Sequence, residues 1–208
     1  MLPFSRDAFF EVFRSYNEEV WPMQLGLFAA AVAATALAIR GTELASRLTL
    51  ALLAALWLWM AITYHWLFFT RINPAAWIFG ALFACQAWLL GRAAVRGAVS
   101  FGGPRGPSAW LGGAAVGYAL IVYPVLGQLG DHPYPRSPSF GMPCPTTIFT
   151  LGLLLLTRGR VPWWLVVIPV VWAAIGTSAA VTLGVREDLG LAAAALALVV
   201  VLALRGRR

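Results

Sequence analysis

The chain has 208 residues, 61% of them hydrophobic and 11% charged, with a mean hydropathy of +0.79. That leaves too little polar surface to cover a soluble domain, so the sequence reads as an integral membrane protein. The net charge of +7 comes from fifteen arginines, since lysine is absent, and these flank apolar runs without forming the aromatic-laced basic patch that nucleic acid binding needs.

Residues 1–21 are expected to form an interfacial amphipathic helix, and residues 22–208 a single transmembrane domain. In SRDAFFEVFRSYNEEV, Phe9, Phe13, Tyr16 and Val20 recur at helical spacing, Ser5 is placed to cap and Asp7 lies in the first turn. The opposite face carries Arg6, Glu11, Arg14 and Glu18. The helix either lies on the membrane surface or packs over the mouth of the bundle. No compact apolar core with a small-residue cleavage site precedes it, so the first spanning helix is expected to target the chain.

A spanning helix needs about 20 apolar residues. Seven segments are predicted, over 22–39, 46–69, 74–92, 108–129, 145–157, 161–184 and 189–204. The fold class is therefore all-α, an integral membrane bundle of seven transmembrane helices behind the amphipathic one. Alternate connections hold Arg40 and Arg47, then Arg92, Arg96 and Arg105, then Arg158 and Arg160, and finally Arg205, Arg207 and Arg208. The other connections hold Arg6, Arg14, Arg71, Arg136 and Arg186 together with Asp7, Glu11, Glu18, Glu19, Asp131, Glu187 and Asp188. The arginine bias puts the first set in the cytoplasm, with the N-terminus outside and the C-terminus inside. The location expected is the bacterial cytoplasmic (inner) membrane.

The fifth segment rises only about 20 Å, short of a core of roughly 30 Å, so SPSFGMPC before it is expected to dip inward as non-helical backbone. Pro145 suits the first helical position, which makes Cys144 the N-cap. Cys144 there is a ligand, a nucleophile or only a small buried residue in a turn. A soft-metal set would use Cys144, Met142 and Cys85; a zinc hydrolase set would use His65, His132 and Asp131, though without a recognised spacing. Two cysteines with neither a CxxC pair nor a Cys/His spacing give no disulfide framework and no structural zinc motif. Asp131 and Arg136 are expected to pair across the stiff DHPYPRSP loop.

The stretches FFEVFRSYNEEVWP, YHWLFFTRINPAAWIFG, YPRSPSFGMPCPTTIFTLGLLLL and GVREDLGL together resemble a family of small bacterial integral membrane proteins catalogued as a domain of unknown function. The resemblance implies a multi-helix membrane protein and supplies no activity, substrate or catalytic residue.

All four stretches fall on the predicted outer side. A shared outer vestibule lined by Glu18, Glu19, His65, Arg71, Asn73, Asp131, His132, Cys144 and Thr147 is the site expected, and its use is to bind or move a small polar or ionic solute. The alternatives are a membrane enzyme in the same vestibule and an accessory subunit packing through GGAAVG, residues 112–117. The partners expected are the lipid bilayer and a small solute or soft metal ion, with no nucleic acid; no cofactor is indicated, and a homo-oligomer or larger membrane complex stays open.

Overall fold

A computed structural model describes residues 3–102 and 106–206, and every regular element among them is a helix. Arg105, Arg207 and Arg208, three of the arginines used to orient the chain, lie outside the described residues. The helices are α1 (Arg6–Val20), α2 (Met23–Arg40), α3 (Glu43–Arg71), α4 (Ala76–Arg96), α5 (Pro107–Leu129), α6 (Pro143–Leu155), α7 (Trp163–Leu183) and α8 (Arg186–Gly206).

Six of these, α2 to α5 with α7 and α8, are long and apolar enough to cross a membrane. The expected seven are corrected to six because α6 has 13 residues and rises only about 20 Å. It nevertheless joins the two ends of the bundle. At its start Gly141 N–H donates to Thr146, and the Gly141 carbonyl accepts from Tyr16 of α1. Beyond its end Arg205 of α8 donates to the Leu155 carbonyl at 3.2 Å and to the Thr157 hydroxyl at 3.3 Å. Every residue of α6 except Cys144 is buried, and the helix packs chiefly against α5, α7 and α8.

The helix also begins earlier than predicted. Met142 is its N-cap, and Pro143 takes the first position, where a missing N–H costs nothing. Cys144 therefore lies in the first turn instead of capping it. On the α5 side the packing is backbone to backbone: a Cβ on Gly152 would stand 3.0 Å from the Ala115 Cβ and 3.1 Å from the Gly112 carbonyl. Small residues permit this approach between membrane helices. Gly112 of the GGAAVG face is thus used inside the bundle, while Gly113 and Gly117 meet open space.

The polar groups divide between two rims. At one, Arg47 bonds Glu43 and the Val95 carbonyl, Arg158 bonds the Gly102 carbonyl, and Arg205 reaches Ser108 and Gly159. At the other, α1 lies across the bundle end with Phe9, Phe10, Val12, Phe13 and Tyr16 buried against Tyr64, Phe68, Phe69, Met142, Leu183 and Val185. Its start follows the sequence signal, since Ser5 accepts from the Ala8 N–H at 3.2 Å. Asn17, fully buried, donates to the carbonyls of Pro135 (2.7 Å) and Ser137 (2.8 Å) and accepts from Gln24 (2.6 Å) and Ser139 (2.7 Å). Those bonds hold the 135–142 segment down as it enters α6.

Within α3 the backbone widens to π-helical turns over Met60–Phe68. Tyr64 and His65, both buried, lie within these turns.

Candidate functional site

Where α1 crosses the bundle it roofs a cavity of about 460 Å³. Phe9 and Phe13 of α1, Tyr64 and Phe69 of α3, Phe79 of α4 and Trp172 of α7 form an aromatic wall. Met142 and Cys144, from the dipping segment and the first turn of α6, form part of the floor, and Asp188 completes it from the start of α8. On the α7 side the wall includes Ala174, Ile175 and Ser178, which are exposed on the outside of the bundle.

Asp188 is 3% exposed, accepts a hydrogen bond from the Tyr123 hydroxyl and lies beside the Cys144 thiol. Its neighbour Glu187, 2% exposed, turns the other way and meets His132 Nε2 at 3.1 Å, while the His132 ring stacks on Phe10 at 4.2 Å. The Glu187 carbonyl accepts from the Tyr118 hydroxyl at 2.8 Å. Consecutive carboxylates thus face two spaces: Asp188 the aromatic cavity, Glu187 a smaller one of about 210 Å³ shared with Asp131, His132 and Arg186. Buried ionisable groups at such depth are costly and mark sites by default.

The residues expected to share one vestibule fall in separate places. Cys144 lines the aromatic cavity, and so does Asn73, whose side-chain oxygen accepts from the Ala75 N–H. Asp131 and His132 line the smaller cavity. Glu18 and Glu19 are exposed on α1, paired with Arg14 at 3.1 Å and with Arg71 at 3.4 Å, and the Arg71 guanidinium also lies over the Phe68 ring. Glu18 and its charge raise Arg14 above its ordinary value, with Glu11 adding to the effect. Arg136 meets Asp7 at 3.5 Å, not the expected Asp131. Thr147 is fully buried on α6, and its hydroxyl has no hydrogen-bond partner.

His65 is fully buried, and neither ring nitrogen has a hydrogen-bond partner. It stands edge-on to Phe83 at 4.5 Å and to Trp172 at 5.2 Å, as part of the aromatic packing behind the cavity wall. The zinc set of His65, His132 and Asp131 is therefore not gathered. Nor is the soft-metal set: Cys144 and Met142 share the cavity, but Cys85 is exposed on α4. Among the described residues no three His, Cys, Asp or Glu side chains are placed to hold a metal ion.

Sequence reasoning missed Asp188, Glu187, Tyr123 and Trp172. The available signal was the pair Glu187–Asp188, the only acidic residues of α8, which reads as a loop until its partners are known. Tyr16 was read only as part of an apolar stripe. Its hydroxyl accepts from Trp59 Nε1 at 2.8 Å, and burial pushes it well above the ordinary tyrosine range, with the Trp59 bond acting the other way. It therefore stays neutral and fixes α1 to α3.

A family model described as "Family of unknown function (DUF6064)" matches residues 6–208. No curated protein and no solved structure matches the chain.

Proposed function

We propose, since the chain belongs to that family of unknown function and inherits no activity from it, that this multi-pass membrane protein binds a small amphiphile in the aromatic cavity. The observation that carries the reading is the lining: rings and aliphatic groups with a few polar side chains, Asn73, Ser178, the Cys144 thiol and the Asp188 carboxyl. Ligand sites have this character, a mostly apolar volume with a few convergent polar groups. An amphiphile would lay its body among the rings and its head on Asp188. Because exposed residues of α7 form part of the wall, a ligand could enter sideways from the bilayer.

The sequence suggested a small polar or ionic solute, but such a solute would surrender its hydration to phenylalanines. What favours binding over passage is the packing beneath the floor. Thr146 to Leu155 are all buried, and Gln86, buried on α4, donates to the Leu165 carbonyl.

In this reading α1 is a surface helix on the bundle of α2 to α8. The rim carrying Arg47, Arg158 and Arg205 faces the cytoplasm of a bacterial inner membrane, and the cavity faces outward.

Native mass spectrometry of protein released from nanodiscs tests the binding role, with Ala179→Phe as the cavity-filling variant. One retained small amphiphile per chain, lost in the folded variant, supports it. Equal retention by both proteins, or none by either, refutes it.

A further inference from the structure

We infer that the amphiphile is an organic cation whose charged head sits against Asp188 within the aromatic wall; this rests on the binding role proposed above and names the class of ligand. Asp188 is the only carboxyl-bearing side chain among the described residues that line the cavity, and no arginine or histidine lines it. A carboxyl group taken out of water either neutralises or is held charged by a cation, so an ammonium head is the partner that would stabilise its ionised form. Here its neighbours in the fold are a tyrosine hydroxyl and a thiol, and no arginine forms an ion pair with it among the described residues.

The nearby basic groups are engaged elsewhere. His132 is committed to Glu187, Arg136 lies over Phe10 and reaches Asp7, Arg6 also lies over Phe10, and Arg186 lines the smaller cavity. None of them lines the aromatic one.

The rings point the same way. Aromatic faces carry the negative part of a quadrupole and attract cations, most strongly where water is excluded, and cages of such rings recognise quaternary ammonium groups. Phe9, Phe13, Tyr64, Phe69, Phe79 and Trp172 surround the same space that Asp188 enters. An anionic head would meet a carboxylate and ring faces with no guanidinium to receive it. A neutral alcohol could bond Asp188 but would not stabilise its ionised form.

The test uses three probes with one tail, dodecyltrimethylammonium, dodecanol and dodecanesulfonate, competing below their micellar concentrations for the full-length protein in nanodiscs. Bound probe is counted by native mass spectrometry. The ammonium should bind tighter than the alcohol by about tenfold to thirtyfold, and the sulfonate weakest. Asp188→Asn should erase the preference while the alcohol still binds. Phe13→Leu should reduce it in part.

Equal binding of all three probes by the wild-type chain would overturn the cationic assignment and leave the cavity's binding role standing. So would a preference that survives Asp188→Asn. Failure of every probe to bind the folded wild-type protein overturns both. The comparison among probes on the wild-type chain needs no variant, so it decides even if Asp188→Asn does not fold.

Discussion

Replacing Asn17 with alanine should unlatch the segment that leads into α6. The Asn17 amide makes four hydrogen bonds of 2.8 Å or less, two given to the Pro135 and Ser137 carbonyls and two received from Gln24 and Ser139, and the residue is fully buried. A net contribution of roughly 0.5–1.5 kcal/mol per bond, reduced because the freed Gln24 and Ser139 donors can find other acceptors, gives a loss of about 2–4 kcal/mol. For a chain of this size that is a fall in Tm of about 5–15 °C. Asp7→Ala is the control. It removes an α1 contact to the same loop, the 3.5 Å pair with Arg136, but the Asp7 side chain is 94% exposed, and the shift should stay under about 2 °C. Thermal unfolding in nanodiscs, followed by intrinsic fluorescence, separates the two. If both variants melt within a degree or so of each other, Asn17 does not pin the loop and the roof of the cavity is held some other way.

Gly152→Ala should cost about 1–3 kcal/mol, because the new methyl would press on Ala115 and the α5 backbone, and it should lower Tm more than Gly113→Ala, which faces open space. Trp57→Phe removes the 3.0 Å bond to Thr150 between two fully buried side chains and should cost about 1–3 kcal/mol in the same assay; an unchanged Tm contradicts the pairing. His132→Ala leaves Glu187 buried without its side-chain partner and strips Phe10 of its stacked ring, so it should be more destabilising than Asp131→Ala, whose residue is exposed. Reporter fusions at the C-terminus should report the cytoplasm, and a periplasmic report would overturn the proposed orientation.

Much of the architecture was legible because it follows from short-range chemistry. Ser5 and the stripe of Phe9, Phe13 and Tyr16 announce α1, and the apolar lengths announce the six long helices. The alternating arginine clusters led to a seventh spanning segment at α6, and its 13 residues are too few to span. The residues before α6 showed its early start less clearly: with Pro143 and Pro145 both able to occupy a first turn, sequence alone could not choose between them.

The site was harder to read because it is made of distant partners. Tyr123 and Asp188 are 65 residues apart in sequence, and Asn17 bonds a loop more than a hundred residues away. Nothing local distinguishes Asp188, which faces the aromatic cavity, from Glu187 beside it, which faces the smaller one. The π-helical turns that hold Tyr64 and His65 in α3 have no recognised signal in the stretch MAITYHWLF. Polar residue types alone therefore grouped Glu18, Arg71, Asp131 and Cys144, which the tertiary packing distributes over the surface and two cavities.

The most direct measurement is photocrosslinking in nanodiscs with a dodecylammonium probe carrying a diazirine in its tail, followed by peptide mapping. Labelling concentrated on α1, the Tyr64–Phe79 region and the Ala174–Ala179 stretch of α7, and suppressed by Ala179→Phe, is the result expected. Labelling spread evenly over the lipid-facing sides of α2, α5 and α8, and indifferent to that substitution, would contradict the account.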